Sequence, residues 1–409
     1  MRYEPGSEEM RLDPVGTTRR IREESPVQWC DDLNFWVVAR YDDCWALAKD
    51  QRLSFNNGGG FGANMSMDEA GALAEHDPEA LMKAAQVIGA CFNFLDTPDH
   101  TRIRGLVNKA FGARAVEGIR DDISKIASQL LDEIEDPRSV DLLTAYANPL
   151  PILVICQVLG IPSDDRATFR DWFTRLEALM SPHREPGVFA SGLEALTALL
   201  DYIEGLVERR RASPEDDLIS SLIESEEAGD QLTAIEVIAT TITVFGAAST
   251  TTQRLIANGL IALVRNPDQL ARFRADRTIA PTAIEELLRF HNPDFRTNTP
   301  RTATESIEIR GHTVEEGQSI RLLFGAANRD PERFDDPDTL DLTRPNNRHL
   351  TFGRGEHFCL GAPLARLEGE VAITTLLDRF ENIELLDEFQ RTSTALYDAG
   401  FPSVPVSLA

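Results

Sequence analysis

The sequence is poor in positive charge. Its 409 residues include 41 lysines and arginines against 67 aspartates and glutamates, a formal net charge of −26. A field of this sign repels nucleic acid and anionic lipid surfaces, so any anionic partner needs a local basic patch. We therefore expect neither nucleic-acid binding nor attachment to a membrane surface.

A long hydrophobic run is also missing. The most apolar stretch, PLPILVICQVLGIP, is about a dozen residues and is interrupted by Pro151, whereas a membrane-spanning helix needs about 20 apolar residues. The first residues, MRYEPGSEEMRLDP, are charged throughout and lack the apolar core of a signal peptide. These features predict a cytoplasmic protein with no membrane segment.

Paired cysteines are absent as well. The five cysteines are scattered, and no CxxC pair is present for zinc binding or redox exchange. We expect four of them to be ordinary thiols: Cys30, Cys44, Cys91 and Cys156. Only Cys359 lies among residues that indicate a chemical role.

The hydrophobic patterning predicts a mainly α-helical chain with a small β-rich region. NFWVVARY at 34–41, IEIRGHTV and SIRLLFGAANRD read as strand-like. The clearest helix begins at a capping box, Thr233 with Glu236, and continues to Asn266. Glycine-rich residues 56–71 predict a mobile flap, and we find no internal repeat.

Cys359 lies in a glycine-rich loop, TFGRGEHFCLGA at 351–362. A metal-ligating thiolate needs a lowered pKa, nearby backbone amides and room for its ligand. Glycines allow the backbone to come close to the sulfur, and the helix predicted from Gly361 presents its positive end to it. A lone cysteine at arbitrary spacing would be structural.

The spacing in this loop is not arbitrary. Phe352, Gly353, Gly355, His357, Cys359 and Gly361 fill every fixed position of FGxGxHxCxG. The loop thus resembles the haem-ligand signature of cytochrome P450, and the chain resembles the soluble bacterial members. The resemblance implies haem b with Cys359 as the axial ligand of the iron and Phe352, Gly353 and Gly361 beside the haem.

Two further matches support the resemblance. EELLR contains the family's ExxR pair, Glu286 and Arg289, which share a helix face and are expected to form a buried ion pair. The haem carboxylates need cationic or hydrogen-bonding partners. The second match is DTPDHTRIR, which contains His100 and Arg104. With Arg301 and His357, the resemblance implies four partners for the haem carboxylates.

The resemblance covers nearly the whole chain. It implies the cytochrome P450 fold as a single domain over 1–409, with an N-terminal extension at 1–25. In that fold the haem lies between the long central helix and the cysteine-loop helix. It also implies a monomer.

The long helix departs from the family pattern above the iron. The family places a glycine and an acid before the threonine that hands protons to dioxygen. In GAASTTTQ the threonine falls at Thr251, the acid position at Thr250 and the glycine at Ala248. A hydroxyl relays protons but is a poor source. Three possibilities stay open: a relay through Ser249, Thr250, Thr251 and water; a proton from the substrate; or use of hydrogen peroxide.

A second departure lies in HNPDFRTNTP, which is longer and more polar than usual. Arg296 or Asn298 is a candidate substrate contact, together with Ala247 and Ala248 on the long helix. Arg296 is also an alternative to Arg301 as the ligand of a haem carboxylate.

The implied function is a haem-thiolate monooxygenase. It takes two electrons from a ferredoxin served by an NAD(P)H-dependent ferredoxin reductase and hydroxylates or dealkylates a small or medium organic molecule. An electron-carrier docking face is expected at Arg102, Lys109, Arg114 and Arg354. The alternatives are a peroxide-driven peroxygenase or redox-neutral haem enzyme, because Thr250 replaces the acid, and a haem-based sensor.

Overall fold

The structure of the chain is a computed structural model that describes residues 2–31, 33–56, 77–110, 113–179, 187–225, 232–292, 300–386 and 403–409. The chain folds into two compact units. Unit 1 comprises Met1–Ser54, Ala113–Pro151 and Ser249–Ala409, and unit 2 comprises Phe55–Gly112 and Ile152–Ala248. The predicted flap at 56–71 lies outside the described residues except for Asn56.

Helices dominate the described residues, as the patterning predicted. They are α1 (Glu8–Leu12), α2 (Pro14–Glu24), α3 (Tyr41–Leu47), α4 (Pro78–Gly89), α5 (Asp99–Ala110), α6 (Ala113–Gly118), α7 (Arg120–Asp132), α8 (Pro149–Val158), α9 (Arg166–Leu179), α10 (Val188–Ala212), α11 (Leu218–Ser225), α12 (Ala234–Arg265), α13 (Pro267–Ala275), α14 (Ala280–Phe290), α15 (Phe324–Ala327) and α16 (Ala362–Arg379).

The strands lie in unit 1. They are β1 (Val27–Cys30), β2 (Phe35–Val38), β3 (Leu53–Ser54), β4 (Val140–Asp141), β5 (Arg301–Ala303), β6 (Ile307–Ile309), β7 (His312–Val314), β8 (Ser319–Leu322), β9 (Ile383–Leu385) and β10 (Pro405–Leu408). A five-stranded sheet has the order β1-β2-β8-β5-β3, a three-stranded sheet the order β4-β10-β9, and β6 pairs with β7.

The five-stranded sheet is mixed. β2 and β8 run parallel with Val38 opposite Leu322, and β5 joins β8 antiparallel with Arg301 opposite Ile320. The strand predicted over SIRLLFGAANRD ends at Leu322, because the chain turns there into α15. A single apolar run therefore serves a buried strand and then a buried helix, which periodicity alone does not separate.

The N-terminal residues pack against this sheet. Tyr3, Met10 and Ile21 are buried in one cluster with Phe35 and Val37 of β2. Their burial removes apolar surface from water on one face of the sheet. The segment predicted as an N-terminal extension therefore contributes to the core of unit 1.

Three helices approach closely in unit 1 at glycine positions. A Cβ on Gly259 of α12 would lie 3.2 Å from both Leu287 of α14 and Ile373 of α16. A Cβ on Gly369 of α16 would lie 2.7 Å from Leu255 of α12. Because glycine has no side chain, these helices pack with little separation, and α16 begins where the cysteine loop ends.

The long helix α12 begins at the predicted capping box. The backbone N–H of Thr233 donates to Glu236 Oε2 at 2.7 Å, and the N–H of Glu236 donates to Thr233 Oγ1 at 3.3 Å. Within the described residues, α12 is the one helix long and apolar enough to cross a bilayer. Phe245, Ile256 and Leu260 are buried, as in a core helix of the same length.

Candidate functional site

The cysteine loop is a tight turn closed by its own backbone. The N–H of Cys359 donates to the carbonyl of Phe352 at 2.8 Å, and the N–H of Phe358 donates to the carbonyl of Gly355 at 3.1 Å. Gly353 and Gly355 have φ values of +67° and +85°, which L side chains rarely adopt. A Cβ on Gly355 would lie 3.2 Å from Lys49, so this glycine serves a close approach to the residues that follow α3 and not to the sulfur.

Cys359 differs from the other four cysteines in its surroundings. It is exposed, whereas Cys30, Cys44, Cys91 and Cys156 are buried. Burial raises the pKa values of Cys44, Cys91 and Cys156, which keeps these thiols protonated and unreactive. Cys359 lies two residues before Gly361, the N-cap of α16, where the positive helix end favours a negative sulfur.

The ExxR residues form a buried network behind the loop. Arg289 donates to both carboxylate oxygens of Glu286 at 2.8 Å, and both side chains are 0% exposed. Arg289 also donates to the carbonyls of Asn328 and Pro337 at 2.9 and 2.8 Å. Arg344 donates to Glu286 at 3.1 Å, so the pair ties α14 to the segment that leads into the cysteine loop.

The start of the loop is attached to the same helix. Thr351 Oγ1 donates to the carbonyl of Leu288 at 2.9 Å and accepts from Asn328 Nδ2 at 3.0 Å. Asn328 Oδ1 in turn accepts from the N–H of Leu350 at 2.6 Å. These bonds fix the position of the loop relative to α14 before the chain reaches Cys359.

Arg301 is a buried cation in unit 1. It lies on β5, is 4% exposed, and its guanidinium is 6.0 Å from the ring centre of Phe324. Burial lowers its pKa to about 10, although Cys44 acts in the opposite direction. A carboxylate ligand beside Arg301 would offset this desolvation. His357 is half-buried in the cysteine loop of the same unit.

His100 and Arg104 lie on α5 in unit 2. They are four residues apart and so share one face of the helix. His100 is buried with its ring 6.3 Å from that of Phe92, and Arg104 is half-buried.

The threonines of α12 divide between two faces of the helix. Thr251 is exposed and Thr250 half-buried, whereas Ser249 and Thr252 are buried. Ala247 is exposed and Ala248 half-buried, on the side of Thr250 and Thr251. Of the hydroxyls predicted for a proton relay, Ser249 therefore lies on the buried face.

Several predicted residues fall outside the description. Arg296 and Asn298 lie in the undescribed segment 293–299, and the side chains of Lys109 and Arg114 are also outside it. Arg102 is described and was predicted to face outward for docking. Its side chain is 34% exposed and is paired with Glu236 of α12, within unit 2.

Sequence patterns did not predict the neighbours of the cysteine loop. The guanidinium of Arg354 stacks over the ring of Trp45 at 3.7 Å and donates to its carbonyl at 3.0 Å. Trp45 precedes Arg354 by more than three hundred residues, so no local pattern joins them. Glu285 and Arg366 likewise meet across 81 positions.

The donor set fits a metal carried by a cofactor. Among the described residues, no group of three or more His, Cys, Asp or Glu side chains is arranged to hold a metal ion. One exposed thiol supplies a single ligand, so a metal held at Cys359 would take its remaining ligands from a cofactor. A Cβ on Gly361 would have no protein atom within 4 Å, so the space beside this residue is open. Buried basic groups such as Arg301 would bind acidic substituents of the cofactor.

Comparisons with known proteins all identify the same family. The family model described as "Cytochrome P450" matches residues 72–393. The chain is 36% identical to the polyketide biosynthesis cytochrome P450 PksS of Bacillus subtilis, over 100% of this chain and 98% of that protein. It is 37% identical to 6-deoxyerythronolide B hydroxylase of Saccharopolyspora erythraea, over 93% and 91%.

Solved structures agree with these relatives. The structure of PksS has a TM-score of 0.85 at 35% identity and covers 100% of both chains. The structure of P450BioI in complex with a hexadec-9Z-enoic acid ligated acyl carrier protein also has a TM-score of 0.85, at 31% identity, over 98% of this chain and 100% of that chain.

Proposed function

Because the chain belongs to the cytochrome P450 family and is a haem b monooxygenase, we propose that it oxidises a small or medium organic substrate with electrons from a ferredoxin. A ferredoxin reductase that uses NAD(P)H would supply the ferredoxin, and the protein would act in the cytoplasm. The observation that carries this proposal is the exposed Cys359 in its glycine loop at the start of α16.

In this proposal the sulfur of Cys359 would hold the haem iron. Haem held there would supply the activation of dioxygen, because a thiolate donates electron density to the iron. The turn at Gly353 and the open space at Gly361 would leave room for the ring, with Phe352 beside it. Arg301, His357, His100 and Arg104 would hold the haem carboxylates.

Proton delivery is assigned to α12. Thr251 Oγ1 would orient and pass a proton, and Thr250 Oγ1 would connect it to water in place of the missing acid. Ser249, the third hydroxyl considered for the relay, is buried. The small side chains of Ala247 and Ala248 would form part of the substrate wall.

Electrons are proposed to arrive at a proximal patch, defined here as Lys49, Arg348, Arg354 and Phe358. Phe358 is 41% exposed beside Cys359, and Arg348, Arg354 and Phe358 line one surface concavity of about 250 Å³. Arg354 is held in place by Trp45, and Lys49 packs on Gly355. On a chain of net charge −26, an acidic carrier would approach only such a basic island.

The names of the relatives suggest where a substrate search should begin. PksS is named for polyketide biosynthesis, the second relative is a hydroxylase of 6-deoxyerythronolide B, and P450BioI was solved with an acyl-loaded carrier protein. We propose polyketide-derived lactones and long acyl chains as the first compounds to screen for a shift in the haem spin state.

The ferrous–carbon monoxide spectrum tests the central assignment. The wild type is expected to give the strongly red-shifted Soret band that a thiolate opposite the gas produces. Cys359→Ser should lose this band, whereas Cys156→Ala should keep it because Cys156 is a buried core thiol. A wild type without the band would overturn the assignment of Cys359.

Turnover experiments separate the alternatives. Product formed with NADH, ferredoxin and reductase supports the monooxygenase, whereas product formed only with hydrogen peroxide supports the peroxygenase.

Reduction kinetics test the proximal patch. Arg348→Glu should slow reduction of the haem by ferredoxin and weaken the salt dependence of its rate. Arg138→Glu is the control, because its side chain is 86% exposed and lies outside the patch, and it should change neither. Equal reduction rates in both variants would remove Arg348 from the docking surface.

A further inference from the structure

Arg366 and Glu285 form a two-point ion pair beside the cysteine loop. Arg366 Nε is 2.5 Å from Glu285 Oε1, and Arg366 Nη2 is 3.0 Å from Glu285 Oε2. The pair joins α16, which follows the loop, to α14, which carries the ExxR residues. The parallel bonds fix the plane of the guanidinium as well as its position.

The guanidinium fixed in this way lies on an aromatic ring of the loop. Its central carbon is 4.4 Å from the ring centre of Phe352. Contact of a cation with the face of an aromatic ring is attractive, and arginine makes it with its flat surface. Arg366 therefore restrains the Phe352 ring and is itself oriented by Glu285.

His349 also lies beside Glu285. Its Nε2 is 3.2 Å from Glu285 Oε2, and its ring centre is 5.9 Å from that of Phe352. Its Nδ1 accepts the N–H of Thr351 at 3.2 Å. Burial alone would raise the pKa of Glu285, but the neighbouring His349 and the hydrogen-bonded Arg366 outweigh it and lower the pKa to about 2.

The restraint on Phe352 reaches Cys359 through one hydrogen bond. The carbonyl of Phe352 accepts the N–H of Cys359 at 2.8 Å, so the backbone at the sulfur residue follows the backbone at the ring. Thr351 is held independently by Leu288. Phe352 thus has two roles in the loop: its ring packs under Arg366, and its carbonyl accepts the hydrogen bond that closes the loop at Cys359.

We propose that Arg366, Glu285 and His349 are positioning residues: by clamping Phe352 they fix the backbone of Cys359 and so set the reduction potential of the iron that its sulfur holds. This inference rests on the proposed axial role of Cys359. The three residues act by holding the Phe352 ring in place and not through their net charge.

The test is the ferric/ferrous midpoint potential of the haem-loaded protein, with the ferrous–carbon monoxide band recorded alongside. Arg366→Lys keeps the charge but loses the two-point pair and the flat contact with Phe352. Glu285→Gln removes a negative charge and the pair. If the clamp positions Phe352, both variants shift the potential in the same direction, and the double variant shifts it by less than the sum.

A purely electrostatic role gives a different pattern. Arg366→Lys would then leave the potential unchanged, and Glu285→Gln alone would move it; that result overturns the inference. Arg379→Lys is the matched control, because Arg379 lies on the same helix but pairs with Asp132 at the surface, and it should leave the potential unchanged.

Different results would overturn the clamp and the proposed role of Cys359. A wild type without the red-shifted band overturns the axial role of Cys359. A wild type with the band, and variants with the wild-type potential, overturn the clamp alone. If Arg366→Lys takes up no haem, His349→Asn tests the clamp: a potential equal to that of the wild type counts against it, and a shift in the direction of Glu285→Gln supports it.

Discussion

Glu286 and Arg289 face each other on one turn of α14, fully buried, with two hydrogen bonds of 2.8 Å between them. Their remaining hydrogen-bonding capacity is used on the segment that precedes the cysteine loop, through Arg344 and the carbonyls of Asn328 and Pro337. A buried ion pair is costly to desolvate and is retained where its geometry is complete. Here it connects the ExxR helix to the loop that carries Cys359.

Arg289→Lys should strongly destabilise the protein. Lysine cannot reproduce the fork that meets both oxygens of Glu286 and two carbonyls, so a buried charge loses partners at a cost of about 3–5 kcal/mol. The measurement is the free energy of unfolding in urea, with haem content recorded. Arg379→Lys, at an exposed pair with Asp132, should cost less than about 1 kcal/mol. Equal effects in the two variants would contradict the network.

Thr250→Asp should increase the yield of product per NADH consumed. The carboxyl would restore a proton source one residue before Thr251, whose exposed hydroxyl would pass the proton on. Thr250→Asn is the matched control, because its amide has the same shape and no titratable proton. Unchanged coupling in Thr250→Asp would show that position 250 is not the acid site. Thr251→Ala should lower the coupling.

Local patterns predicted the features that depend on neighbouring residues. The capping box at Thr233 and Glu236, the ion pair on one helix turn and the loop around Cys359 each involve residues a few positions apart. Their geometry follows from helix and turn dimensions, which are the same in any protein. The mainly helical fold with small sheets follows from the same patterns together with the family resemblance.

Local sequence patterns did not predict contacts between residues that are far apart in the sequence. Arg102 was expected to face outward as a docking charge, and its pairing with Glu236, 134 positions later, was not predicted. Arg354 finds Trp45 across 309 positions, and Glu285 finds Arg366 across 81. Such pairs depend on how helices pack, and packing is decided by the whole core rather than by any one segment.

Lys83 should hold α4 in place. Its Nζ is 2.9 Å from Asp201 Oδ1 and 2.6 Å from Glu204 Oε2 of α10, while α4 buries only Ala84 and Val87 among its described side chains. Lys83→Gln should therefore speed hydrogen exchange of the α4 amides a few-fold, since partly exposed pairs contribute about 0.2–1 kcal/mol each. High salt should do the same to the wild type. Lys125→Gln, whose pair lies within one helix, should leave α4 unchanged.

Glu285→Gln should destabilise the protein near neutral pH but not in strong acid. The folded-state pKa of Glu285 is lowered from the ordinary 4.5 to about 2, so its contribution is present above pH 4.5 and is lost as the pH falls towards 2. The measurement is the difference in urea midpoint between wild type and variant from pH 7 down to pH 3. A difference that does not shrink on acidification would contradict the ion pair with Arg366.

Glu368→Gln should show the opposite pH dependence. Glu368 is buried in α16, and within the described residues its Oε2 has no hydrogen-bond partner; burial raises its pKa well above the ordinary 4.5. The folded protein therefore keeps a proton that the unfolded chain releases, so the wild type loses stability as the pH rises above 4.5.

Glutamine has a similar shape to the protonated acid and cannot ionise. The free energy of unfolding of Glu368→Gln in urea should thus match that of the wild type near pH 4.5 and exceed it increasingly towards pH 8, by at most about 1.4 kcal/mol per pH unit. Glu285→Gln, whose destabilising effect grows as the pH rises from about 2 to 4.5 and then stays constant, checks that the sign comes from the site and not from the method. A Glu368→Gln variant less stable than the wild type at pH 8 would mean that the carboxylate is charged in the folded protein and held by a partner.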